Sequence, residues 1–173
     1  MAKSCPKHAH ALKQKKDEAL AVVVHSIPYL HFMGISFDRR GDELTAIIRY
    51  HDSLIGNPSL PALHGGAIAA FLESSALIEL SWRALLKKIE ASPLVPHDIK
   101  SGTQVEMPKT IDFTVDYLRT GLPRDAYARA SVRRSGRRYA SVFVEAWQDK
   151  RSRIFAQATG HFLVPSTELD EET

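Results

Sequence analysis

Apolar and polar positions alternate with different periods along the chain. From residue 11 to about residue 26, Leu12, Ala19, Leu20, Val23 and Val24 share one broad face, with Lys13, Lys15, Lys16 and Asp17 elsewhere. That spacing predicts a helix, and Pro28 bars its continuation. Residues 31–37 and 43–50 read as two strands. In the second, Leu44, Ala46 and Ile48 alternate with Thr45 and Arg49, and Gly41 sits in a turn where positive φ is needed. The pair predicts a hairpin. A loop containing Pro58 and Pro61 follows, then an apolar run from about residue 67 to 90 that predicts one long helix. Lys87 and Lys88 suit its C-terminal dipole, and Pro93 marks its end. Residues 94–107 predict a loop, with turn signals at Pro96 and Ser101-Gly102. Residues 109–119 alternate strictly: Ile111, Phe113, Val115 and Tyr117 on one face, Thr110, Asp112, Thr114 and Asp116 on the other. Residues 125–134, 137–149 and 153–164 continue as strands joined by short turns, which argues for an antiparallel sheet.

One long helix between an early hairpin and a later run of antiparallel strands gives an α+β fold. The expected divisions are an N-terminal tail and helix over 1–28, a single domain over 29–164, and a flexible acidic tail over 165–173. The first ten residues read as a frayed terminus. Within them Cys5, His8 and His10 have the spacing Cys-x2-His-x-His, but no convincing fourth ligand accompanies them, so no metal site is assigned.

Composition narrows the function classes. The 23 basic and 20 acidic residues nearly cancel, leaving a net charge of +3, which does not suggest a general nucleic-acid binder. The single cysteine excludes an intramolecular disulfide and fits a reducing compartment. No apolar run approaches the roughly 18 residues needed to span a bilayer. The basic N-terminus lacks the apolar segment of a secretory signal. The expected location is therefore cytoplasmic, with neither membrane nor nucleic acid as partner.

Candidate chemistry concentrates where the proline-containing loop meets the long helix. Glu73 has Ala69, Ala70, Ala76 and Leu77 as helical neighbours, so it is expected to point into a buried stripe. Glu79 has Ser75 and Arg83 as neighbours and reads as a solvated surface residue. A protein keeps a buried carboxylate only with a partner or a use. Glu73 is thus either an acid–base group or a structural carboxylate paired with an arginine or amide. His64-Gly65-Gly66 stands at the helix start. Two glycines there allow close approach to backbone N–H groups, which suits an oxyanion hole. The plainer reading is a glycine-rich helix start. His64 is a base, a donor to substrate, or a buttress. Glu73 follows the glycines by two helical turns, roughly 11 Å along the axis. One small group cannot be gripped from both places in one chain, so a catalytic pair requires a symmetric dimer. Arg133, Arg134, Arg137 and Arg138 crowd one turn. Guanidinium forks suit phosphates, and the alternative is a solvated turn.

The stretch GNPSLPALHGGAIAAFLESSAL resembles the signature of the hotdog-fold thioesterases, in the phenylacetate-degradation (PaaI-like) branch. That family carries an asparagine, then His-Gly-Gly, then Asp or Glu nine residues after the histidine, the spacing of His64 and Glu73. IDFTVDYLRTG is similar to the family's central strand and ARASVRRSGRRYASVFVEAW to its following hairpin; the likeness spans about residues 30–164. Asn57 stands seven residues before His64, one more than in those relatives.

The resemblance implies a curved antiparallel sheet wrapped around the central helix. It implies homodimers, or dimers of dimers, with active sites at the subunit interface. The implied reaction is hydrolysis of an acyl-CoA thioester to free acid and CoA, without metal or cofactor. Glu73 would act as base or nucleophile, and the Gly65 and Gly66 amides as oxyanion hole. Asn57 and His64 would orient water or carbonyl, and Thr110 would stand near the lytic water. Coenzyme A phosphates give Arg134, Arg137 and Arg138 a ligand. The competing functions on this fold are a non-catalytic acyl-CoA sensor and a dehydratase or hydratase.

Overall fold

The computed structural model describes residues 6–91 and 106–165. Helix α1 spans Pro6–His25, α2 Pro28–Phe32 and the long helix α3 Gly65–Ala91. The strands are β1 (Ile35–Arg40), β2 (Glu43–Ile48), β3 (Ile55–Asn57), β4 (Ala62–Leu63), β5 (Lys109–Tyr117), β6 (Ala126–Ser135), β7 (Tyr139–Trp147) and β8 (Ile154–Leu163). Six strands form one sheet in the order β1-β2-β6-β7-β8-β5, every pair antiparallel. Helix α3 packs across this sheet, as the hotdog expectation requires.

The core follows from the alternation. Ala128, Val142, Val144, Ala156, Ala158 and Phe162 are buried on the sheet's inner face, and Phe71, Leu72, Ile78 and Trp82 of α3 meet them. Small residues dominate the sheet side and large ones the helix side, so the helix seats closely on the sheet.

Several boundaries differ from the sequence expectation. Helix α1 begins at Pro6, not at residue 11, with proline at its first position where the missing N–H costs nothing. Leu20 and Val23 of α1 are buried, each adding roughly 2 kcal/mol of apolar burial. Lys16 reaches Asp42 at 2.9 Å and Glu90 of α3 at 3.3 Å, tying α1 to the β1–β2 turn and the end of α3. Residues 31–33 do not belong to the first strand. Pro28 starts the short helix α2, and Gly34, at φ 66°, turns the chain into β1. The proline-containing loop holds a small two-stranded ribbon, β3 with β4. Cys5, the loop over 92–105 and the tail over 166–173 lie outside the described residues. Among the described residues no helix is long and apolar enough to cross a membrane.

Glu79 corrects a larger expectation. It is only 6% exposed, whereas Glu73 is half-buried. Arg83 does pair with Glu79, at 2.7 Å. However, the neighbouring Ser75 and Trp82 are buried, and Arg39 of β1 lies over the Trp82 ring. That side of α3 is covered, not solvated. Burial pushes the Glu79 carboxyl above its usual range, Arg83 offsets part of this, and Glu43 adds repulsion. The folded chain therefore binds this proton more tightly than the unfolded one. Its stabilising contribution is full below the unfolded pKa and is lost as pH rises through the folded value. Glu79→Gln, which keeps an acceptor for Arg83, is expected to flatten this fall. Urea unfolding from pH 4 to pH 8 checks it: wild type and variant should converge at acid pH, with the variant more stable at pH 8.

Candidate active site

The site is built on α3 and the edge strand β5. His64 precedes the helix as its cap. Its backbone N–H donates to the Leu54 carbonyl (2.8 Å), and its own carbonyl accepts the first helical bond, from Ile68 N–H (3.0 Å). The Gly66 N–H donates to His64 Nδ1 at 3.0 Å. An Nδ1 that accepts carries no proton, so the neutral ring has its hydrogen on Nε2. In that tautomer the ring nitrogen left free, Nε2, is a hydrogen-bond donor.

This contact alters the role expected of Gly66. Its amide is committed to the His64 ring and does not face outward as a second oxyanion donor. The Gly65 N–H remains, since no backbone acceptor takes it among the described residues. Close approach favours glycine at 66, whereas a Cβ at 65 would make only ordinary contact. A Cβ on Gly66 would lie 3.0 Å from His64 Nδ1, and one on Gly65 would lie 3.4 Å from the Tyr117 ring. Gly56 of β3 is tighter still, because a Cβ there would meet His64 Cα at 2.8 Å.

Glu73 lies two turns along the same unbroken helix. Thr110 donates from Oγ1 to Glu73 Oε1 at 2.7 Å, and Oε2 is not engaged among the described contacts. Strict alternation places Thr110 on the outer face with Asp112 and Thr114. The structure places it inside. Thr110 pairs with Phe162 and Asp112 with the adjacent His161, so Ile111 is an extra residue in the ladder. Such a bulge shifts the side-chain phase by one. Beyond it, Phe113, Val115 and Tyr117 oppose Gly160, Ala158 and Ala156 on the inner face, as expected. On the outer face Asp112 grips His161 Nδ1 at 2.9 Å, directly next to the bulge.

Strand β5 therefore touches α3 at two places. Thr110 meets Glu73 at one end, and at the other Tyr117 donates from its hydroxyl to the Gly65 carbonyl at 2.8 Å. The Tyr117 contact was not foreseen. Its signal in the sequence is a hydroxyl-bearing aromatic at the last inward position of the strand.

Asn57 lies at the end of β3, where its Oδ1 accepts from Ser59 N–H (3.0 Å) and Leu60 N–H (3.3 Å). The acceptor is used in folding its own loop, which leaves the amide Nδ2 as the group it can offer to a ligand. Arg134, Arg137 and Arg138 are exposed at the β6–β7 turn. Ala140, Phe162 and Thr110 share one ladder row, with Ala140 about 10 Å from Thr110 across two strand spacings, so this turn is at the Thr110 end of the sheet. Arg133 instead lies over the Phe143 ring, 5.0 Å from its centroid.

A long helix packed across a six-stranded antiparallel sheet is the arrangement of the hotdog fold. The thioesterase superfamily model matches residues 60–155, and the chain belongs to that superfamily. Among curated relatives, the medium/long-chain acyl-CoA thioesterase YigI of Escherichia coli K12 is 27% identical over 157 residues, covering 86% of this chain and 95% of YigI. A solved protein from Chromobacterium violaceum is 33% identical, with 92% of this chain and 99% of that one covered, at a TM-score of 0.61. A Shewanella oneidensis protein related to the thioesterase superfamily is 25% identical, with 94% and 100% covered, at a TM-score of 0.69.

Proposed function

We propose that the chain hydrolyses an acyl-CoA thioester to free acid and CoA, with Glu73 as the reacting carboxylate. The observation that carries this is the Thr110–Glu73 contact. It orients one carboxylate oxygen and leaves the other open, on a helix whose start presents amide and imidazole donors. Superfamily membership and the acyl-CoA specificity stated for YigI support the substrate class.

In this reading Glu73 either removes a proton from water as it attacks the thioester carbonyl, or attacks that carbonyl itself and is then released by water. The tetrahedral intermediate places negative charge on the carbonyl oxygen. The Gly65 amide and the His64 Nε2–H stabilise that charge, with the positive end of the α3 dipole behind them. Collapse expels the CoA thiolate. The Asn57 Nδ2 group orients water or carbonyl. Because Glu73 and Gly65 are about 12 Å apart along α3, each complete site takes Gly65 from one subunit and Glu73 from another. Arg134, Arg137 and Arg138 receive the CoA phosphates. No metal or cofactor enters the scheme.

A thiol-release assay on the purified chain, across acyl-CoA chain lengths, tests this. Hydrolysis of at least one acyl-CoA is expected. Acyl-CoA binding without thiol release would overturn the reading in favour of a sensor.

A further inference from the structure

We propose that Tyr117 is a positioning residue for this site, fixing the His64 tautomer through the Gly65–Gly66 peptide. This rests on the reading of His64 as a substrate-facing donor. The contacts form one continuous path. Tyr117 Oη donates to the Gly65 carbonyl at 2.8 Å. That carbonyl and the Gly66 N–H belong to one planar peptide unit, so the orientation of one sets that of the other. The Gly66 N–H then donates to His64 Nδ1 at 3.0 Å.

A carbonyl that accepts a hydrogen bond makes the N–H of its own peptide a better donor, because chains of hydrogen bonds polarise one another. The Tyr117 hydroxyl thus strengthens the bond that keeps Nδ1 unprotonated. The hydrogen is held on Nε2, facing the place where charge develops on the thioester carbonyl. Both rings close on this peptide, the Tyr117 ring near Gly65 and the imidazole against Gly66, where the missing Cβ makes room. Tyr117 is 53% exposed, so its hydroxyl is not kept inward by burial. The bond to Gly65 holds it. The same strand orients Glu73 through Thr110, so β5 sets the aim of the carboxylate at one end and of the donor at the other.

Tyr117→Phe keeps the ring and removes the hydroxyl. Two measurements are made on the full chain. Steady-state kinetics on an acyl-CoA that wild type hydrolyses should show kcat lowered about tenfold, the scale of one lost hydrogen bond, with KM within about twofold. Long-range 1H–15N spectra of the histidine rings, with the His64 signals assigned by their loss in His64→Asn, should show wild-type His64 as the Nε2–H tautomer. In Tyr117→Phe the Nδ1–H form should appear beside it. Unchanged kcat, or a lowered kcat with the tautomer unchanged, would overturn the proposal. The tautomer spectra decide the positioning role even if wild type hydrolyses no acyl-CoA. Full activity in a Glu73 variant would sink the catalytic reading alone.

Discussion

Glu73→Ala is expected to lower kcat for thioester hydrolysis by about 10³-fold, within the range that a positioned base or nucleophile supplies. The fold should survive. Glu73 is half-buried, and its one described partner is the Thr110 hydroxyl, which can turn to water when the carboxylate is gone. Circular dichroism and elution volume should match wild type. Glu73→Gln separates charge from contact, because the amide oxygen still accepts from Thr110 while the group can no longer take a proton or attack. A loss of similar size in both variants is expected. Near-wild-type turnover in Glu73→Gln would show that the carboxylate is a structural partner of Thr110 and that the reacting group lies elsewhere.

Gly56→Ala should produce the next largest loss, from a residue that touches no substrate. Its Cβ would stand 2.8 Å from both Cα and Cδ2 of His64. The Cα belongs to the backbone at the start of α3, so the clash cannot be relieved by rotating a side chain. Either β3 moves away from His64, or His64 moves with the helix start. Overpacking of this kind costs roughly 1–3 kcal/mol. A displacement of about 1 Å at a donor can cost on the order of 10²-fold in rate. Kinetics and urea unfolding on the same preparation check both figures. A variant that is destabilised but fully active would show that the aim of His64 is irrelevant to turnover.

Much of this architecture was legible in the sequence where one period dominates. The α3 pattern placed Glu73 two turns beyond the glycines, and an unbroken helix keeps them there. The alternation in β6, β7 and β8 put the buried residues on one face because those strands pair on both sides. Legibility failed where contacts distant in sequence override local pattern. Glu79 with Arg83 four residues on has the form of a surface pair, yet its side of α3 is covered and the carboxylate is buried. The β3–β4 ribbon is too short to carry an alternation of its own. The commitment of the Gly66 amide to His64 depends on a ring orientation that no spacing encodes.

The bulge at Ile111 has a consequence for comparing chains of this kind. Thr110 and Tyr117 are seven positions apart, but one of the intervening residues occupies no rung of the β5–β8 ladder. Removing Ile111 would leave a regular strand in which Thr110 still opposes Phe162 and Tyr117 still opposes Ala156. A shorter chain, with the hydroxyl only six positions before the tyrosine, would thus present the same pair to the helix. What sets the contact with the helix is the rung and not the residue count. An alignment that penalises the single-residue gap at Ile111 would match Thr110 to the wrong neighbour.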